Sequence, residues 1–257
     1  MENRITSLFQ KKNKNILSVY FTAGYPELND TLKIIAELEK NCVDLIEIGI
    51  PFSDPVADGS VIQHSSEVAL KNGMTLNMLF EQLKDIRKIV SIPLILMGYI
   101  NPVMQFGIEN FCRKCKQTGI DGTIIPDLPL EIYEDEYKAI FESNSVSNIF
   151  LVTPQTSDER IRKIDSASNG FIYLVSSSST TGATKGVDVS QNLYFDRIRK
   201  LKLKSNHLIG FGISDKATFL NASLYGSGAI IGSAFIKALE EEGGLESIVK
   251  RFINQIL

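Results

Sequence analysis

Residues 43–60 read VDLIEIGIPFSDPVADGS, and the rest of the chain is organised around them. The stretch opens as an apolar strand, Val43 to Ile48, that carries a carboxylate, Glu47, almost at its C-terminal end. Gly49, Pro51, Pro55 and Gly59 then follow too densely for regular structure, so the strand must empty into a loop. That loop holds two further carboxylates, Asp54 and Asp58. An ionised Glu inside an apolar strand is costly, and burial raises its pKa. A carboxyl that titrates near working pH is what general acid–base chemistry needs. A structural ion pair with a neighbouring strand is the alternative, and this stretch alone leaves both open.

Working outward, the same pattern recurs. Upstream, Ile5, Leu8 and Phe9 suggest a short N-terminal capping helix, and Ile16 to Phe21 forms a first strand. Asn29 or Asp30 caps a helix to Lys40. Downstream, strands are expected at Pro93–Met97, Gly122–Ile125, Asn148–Val152, Gly170–Val175, Leu208–Phe211 and Ala229–Ile231. Helices fill the intervals: about Ser60 to Lys71, a second through Val90, one through Lys116 after a loop with Gly98, Asn101 and Pro102, an acidic one from Leu130 to Phe141, and shorter ones beyond. Near-continuous apolar strands alternating with helices signal a parallel sheet covered by helices. Eight such units in 257 residues match an α/β fold of the (β/α)8 barrel, or TIM barrel, type: a single domain spanning 1–257 with an extra N-terminal helix. A doubly wound open sheet is the competing architecture, but no G-x-G-x-x-G follows the first strand.

Bulk properties narrow the function. The chain is 44% hydrophobic and 22% charged, with a net charge of −3. Nothing in that balance advertises nucleic acid or an anionic membrane. No apolar run approaches the ~20 residues of a membrane helix, and the N-terminus has no signal-peptide core, so a cytoplasmic location is expected. Cys42, Cys112 and Cys115 are too few for a disulfide framework, and the C-x-x-C at Cys112 and Cys115 falls inside a helix with no partner pair for a metal. His64 and His207 have no ligand-like neighbours. No metal site is expected.

In a barrel of this type the active site lies at the C-terminal ends of the strands. Glu47, Asp58, Tyr99, Asn101, Asp127, Tyr173, Thr181 and Gly182 all fall there. Two carboxylates at one mouth suit proton transfer, one moving the proton while the other holds a developing positive charge. The turns Phe211-Gly212-Ile213-Ser214 and Ile231-Gly232-Ser233-Ala234 each join a strand to a helix start. Glycine lets backbone N–H groups approach a ligand, and helix N-termini present donors to an anion, so the two turns together point to a phosphate. The Ser/Thr/Gly-rich loop SSSSTTGATKGVDVS, 176–190, reads either as a lid over that phosphate or as a plain surface loop.

Six collinear motifs then become recognisable: EIGIPFSDPVADGSVIQ, MGYINPV, GTIIPDLP, GFIYLVS…TTGA, FGIS and IIGSA. Together they resemble the tryptophan synthase α-subunit family from about Phe21 to Ala234. The resemblance implies a lyase that cleaves indole-3-glycerol phosphate to indole and glyceraldehyde 3-phosphate by a retro-aldol reaction, without a cofactor of its own. It implies Glu47 as the acid–base group, Asp58 as the carboxylate that holds the indole N–H, and Tyr173 as an active-site tyrosine. Gly182, Gly212, Gly232 and Ser233 match the family's phosphate-binding turns. Phe21, Tyr99, Ile125 and Phe211 are expected along the indole pocket, and Thr181 matches a threonine of a loop that closes onto the aspartate loop. The implied partner is a pyridoxal-phosphate-dependent β subunit, in an αββα complex, that receives indole through a tunnel. Contacts are expected at loop 51–58 and around Asn101-Pro102. One departure stands out: SSSSTTG occupies a place where many members carry Gly-Val before Thr-Gly. A stand-alone indole-releasing lyase and a catalytically silent binding barrel are the competing functions, and intact Glu47 and Asp58 speak against the second.

Overall fold

The computed structural model describes residues 3–175, 189–210 and 212–257. Eight parallel strands close on themselves in sequence order: β1 (Ile16–Thr22), β2 (Leu45–Gly49), β3 (Leu94–Met97), β4 (Gly122–Ile124), β5 (Ser147–Val152), β6 (Ile172–Val175), β7 (His207–Gly210) and β8 (Gly228–Ile231). Closure comes from β8 pairing with β1, Ile16 opposite Gly228 through Val19 opposite Ile231. The expected α/β barrel is therefore the observed one, and the open sheet is excluded.

Successive side chains of a strand point to opposite faces, and here both faces are buried. Ile16, Leu45, Ile95, Ile124, Ile149, Tyr173, Leu208 and Ile230 pack into the barrel interior with Ile5 and Phe9 of the N-terminal helix, Arg4–Lys11, which plugs the bottom. The alternate residues, such as Leu17, Val19, Ile46, Ile48, Leu94 and Leu96, pack outward against the helices. Asn3 caps that N-terminal helix in a capping box with Thr6, and its amide reaches Ser147 Oγ at 2.9 Å. The buried Asp121 fastens the same end: it accepts from Arg4 at 3.0 Å, from Arg87 at 2.6 Å and from the Leu94 N–H at 3.0 Å.

Three expected elements are redrawn. Asn101 and Pro102 are not loop but the first turn of a helix, Ile100–Phe106; proline fits there because that turn's N–H groups have no helical acceptor. Gly107, at φ +87, breaks that helix from the next, Ile108–Thr118, where Cys112 and Cys115 are buried as apolar packing, with the Cys112 thiol pushed up to about 12 by burial. The helix expected through Val90 is Leu76–Gln82 followed by a tighter 3-10 segment, Leu83–Lys88, kinked at Asp85. No helix among the described residues is long and apolar enough to cross a membrane.

Candidate active site

Strand β2 delivers Glu47 to the inner face, in register with Tyr20 of β1 and Ile95 of β3. Its side chain is fully buried. Oε1 accepts a hydrogen bond from the Ser18 hydroxyl at 2.9 Å, while Oε2, also buried, has no hydrogen-bond partner among the described residues. Burial drives the Glu47 carboxyl up to about 8, and the Ser18 hydrogen bond offsets only part of that. Glu47 is therefore neutral through most of the neutral range, and a buried polar atom left unpaired in a native fold calls for an explanation such as a catalytic role.

The loop after β2 brings the second carboxylate. Asp58 is half-buried, and Tyr99, just past β3, donates its hydroxyl proton to Asp58 Oδ2 at 3.0 Å. The same Tyr99 oxygen accepts from the Ala57 N–H at 2.9 Å, and the Tyr99 ring lies 5.2 Å from that of Phe52. Gln63, one turn into the following helix, donates to the Asp58 carbonyl at 3.0 Å. Burial raises the Asp58 carboxyl, and Tyr99 opposes the shift by stabilising the charged form. Asp54, by contrast, is exposed and bonded to its neighbour Ser53. Asp127 has a structural post: its Oδ1 accepts from the Ile100 N–H at 2.9 Å and so caps the helix that Tyr99 itself leaves without a side-chain cap.

Two tyrosines frame the mouth in the same way. Tyr20 leans along the barrel toward Gly49 on β2, and Tyr173 leans toward Gly210 on β7; a Cβ on Gly49 would lie 2.2 Å from the Tyr20 hydroxyl, and one on Gly210 would lie 2.1 Å from that of Tyr173. The glycines exist to make room for phenol rings. Burial pushes both phenols up; the charges of Asp58 and Glu47 add to this at each, which places both carboxylates near both rings.

Tyr20 corrects an expectation. Phe21 is expected to line the indole pocket, but alternation along β1 puts it on the face of Leu17 and Val19, opposite to that of Ser18, which reaches Glu47. Ser18 and Tyr20 hold the opposite, inner face; Tyr20 lines a narrow cleft with Asp58, Tyr99, Phe52, Met97 and Pro126. Ile125 is displaced for the same reason. Ile124 is the inward residue of that pair, and Ile125 sits in the outer cluster, bordering a separate cavity of about 440 Å³ over the ends of β4 and β5 with Leu128, Phe150 and Arg160. That larger cavity is lined by neither Glu47 nor Asp58, whereas Asp58 lines the cleft; Pro126 borders both. Nothing local in the sequence separates Tyr20 from Phe21; the register of β1 against β2, with Tyr20 opposite Glu47, does so.

Of the turns expected to hold a phosphate, Gly212 has φ +74, a left-handed backbone, with no described residue within 4 Å of where a Cβ would go, so conformation demands glycine there. Gly232 lies beside the Tyr20 ring, with a would-be Cβ 3.4 Å from Cδ1, which places this turn on the same mouth. It opens the short helix Ser233–Ala238 with no side-chain cap. The other helix start is different: Asp215 caps Lys216–Tyr225 with its own carboxylate, in a capping box with Thr218, so that N-terminus is already occupied by an anion. Thr181, Gly182 and Phe211, and residues 176–188 of the loop read as a lid, lie outside the described residues.

Comparison with known proteins bears on this geometry. The family model described as tryptophan synthase alpha chain matches residues 7–256. The tryptophan synthase alpha chains of Flavobacterium psychrophilum and Flavobacterium johnsoniae are 60% and 61% identical over 254 residues, covering 99% of each chain. Among solved structures, the tryptophan synthase A-subunit of Pyrococcus furiosus superposes with a TM-score of 0.87 at 34% identity, covering 95% of this chain and 98% of that one. A chain of the tryptophan synthase complex from the same organism gives 0.86 at 32% identity, with 95% and 98% covered.

Proposed function

Because the chain belongs to the tryptophan synthase alpha chain family, we propose that Glu47, Asp58 and Tyr173 are the catalytic groups through which it acts. As a member of that family it is a carbon–carbon lyase of tryptophan biosynthesis and cleaves indole-3-glycerol phosphate to indole and glyceraldehyde 3-phosphate.

The observation that carries the assignment is the buried Glu47, with a carboxyl at about 8 and one oxygen unpartnered, in the same barrel mouth as Asp58. Neutral Glu47 gives its proton to indole C3, and the positive charge that this creates settles on the ring nitrogen. Asp58, whose charged form the Tyr99 hydrogen bond favours, accepts the ring N–H and stabilises that cation. Glu47, now a carboxylate, takes the proton from the glycerol hydroxyl next to C3. The C–O bond becomes a carbonyl, the C–C bond breaks, and its electron pair returns through C3 to the nitrogen. Glu47 ends protonated, as it began, so one group serves as acid and then base. The ring nitrogen is itself the electron sink, so the step calls for no cofactor on this chain.

Tyr173 and Tyr20 wall the ring, with Tyr99 at its edge. The Gly212 turn and the uncapped start at Gly232 and Ser233 take the phosphate, with Gly182 contributing from the loop after β6. Distant phosphate binding then orients the breaking bond. A β chain that carries pyridoxal phosphate receives the indole, in an αββα assembly. Val56 and Met104, exposed apolar side chains of loop 51–58 and of the helix holding Asn101 and Pro102, support that face as the contact. Residues 1–257 act as one barrel domain, in the cytoplasm.

Indole release from indole-3-glycerol phosphate by the purified chain, alone and with an added tryptophan synthase β chain, tests this assignment. Weak release alone, raised strongly by the β chain, is expected. Full activity alone would replace the subunit role with a free-standing lyase, and no release in either condition would leave a binding barrel.

A further inference from the structure

Inside the barrel the Glu47 carboxyl is anchored by Ser18 of β1, and its two oxygens are not equivalent. Ser18 is itself fully buried. Its one hydroxyl proton goes to Oε1 at 2.9 Å, and Oε2 is left without a partner among the described residues. A neutral carboxyl carries its proton on one oxygen only, and the oxygen already accepting a hydrogen bond is the poorer place for it. We infer that Ser18 is a positioning residue for the cleavage: by donating to Oε1 it assigns the transferable proton to Oε2, the oxygen free to meet the substrate. This rests on Glu47 being the acid–base group.

Two effects follow from removing the hydroxyl. The carboxyl loses its anchor and can rotate, so kcat falls by about 10-fold, the lower end of what a hydrogen bond to an ionisable partner contributes. KM hardly moves, because Ser18 lies beneath Glu47 and not against the phosphate turns. The hydroxyl also favours the charged form, so its loss raises the Glu47 carboxyl further. Cleavage starts from neutral Glu47, so the alkaline limb of the kcat–pH profile moves to higher pH, by about one unit. Among the described residues the other titratable groups near Glu47 are Tyr20 from β1, Tyr173 from β6 and Asp58 from the loop after β2, and substituting Ser18 touches none of them.

The test is the pair Ser18→Thr and Ser18→Val, equal in shape and differing in the hydroxyl, with Glu47→Gln alongside. Each is assayed as the full chain with a β chain present, across pH. Ser18→Thr should keep the wild-type limb and Ser18→Val should show the raised limb and the fall in kcat. Superposable profiles for the pair would overturn the role of Ser18. In that case an inactive Glu47→Gln would leave the assignment of Glu47 standing, whereas an active Glu47→Gln would remove both. The infrared C=O band of the neutral Glu47 carboxyl gives a readout independent of turnover: it should rise in frequency in Ser18→Val and not in Ser18→Thr, and no difference between the two counts against the role as well.

Discussion

Replacing Glu47 with glutamine should make the fold more tolerant of alkali, by an amount that the burial of this one group sets. The Glu47 carboxyl moves from an ordinary 4.5 to about 8 because it is buried. A folded-state value above the unfolded one means that folding takes up a proton between the two. Stability is therefore greatest below about pH 4.5, falls as pH rises through the window and levels off above about pH 8. Within that window the slope approaches 1.36 kcal/mol per pH unit, so the whole effect is on the order of 5 kcal/mol. The amide of Glu47→Gln keeps the shape and an acceptor for Ser18 but has no titrating proton to lose. Equilibrium urea unfolding of both proteins, followed by circular dichroism at pH 5 and pH 9, gives the comparison. The stability gap in favour of Glu47→Gln should widen by about 4 kcal/mol from pH 5 to pH 9. Parallel pH dependence in the two proteins would refute the claim that a neutral carboxyl is buried here, and with it the acid role in the first proton transfer.

Tyr99→Phe removes the donor that favours charged Asp58, so Asp58 protonates at a higher pH and the acid limb of kcat/KM should move upward; an unchanged limb in a pH–rate series would mean that the 3.0 Å contact does not act on Asp58. Gly210→Ala puts a methyl 2.1 Å from the Tyr173 hydroxyl and should cost about 1–3 kcal/mol in urea unfolding. Combined with Tyr173→Ala the loss should be clearly less than additive. Asp121→Asn leaves Arg87 and Arg4 without their counter-charge at the base of the barrel and should cost about 3 kcal/mol by the same measurement, with KM unchanged.

The barrel was legible because its strands are dense apolar runs separated by helical periodicity, and Glu47 stood out as a carboxylate at the C-terminal end of such a run. Asp58 was legible from the proline- and glycine-rich loop that holds it. What the sequence left ambiguous was facing. Both faces of every strand are buried, so apolar residues at successive positions carry no inside–outside contrast. Phe21 and Ile125 are the expected pocket residues, but Ile124 belongs to the inner cluster and Ile125 to the outer, and Tyr20 stands opposite Glu47. Only the register of Glu47 with Tyr20 settles the first pair. Polar residues at helix starts were ambiguous for a related reason. Asp127 looks like a site residue at a strand end, yet it caps a helix, as Asp215 does at another. Which helix N-terminus stays open to a phosphate depends on those caps, and a cap shared across two loops, as with Asp127 and Ile100, has no local sequence signature.

On the proposed mechanism two carboxylates at this mouth carry the cleavage, and the direct test is indole release by Glu47→Gln and Asp58→Asn beside the wild-type chain, with circular dichroism confirming that each is folded. Each single substitution should lower kcat/KM by at least about 100-fold, since one removes the proton carrier and the other the charge that holds the cation. Retention of most of the activity by either folded variant would contradict the role given to that residue.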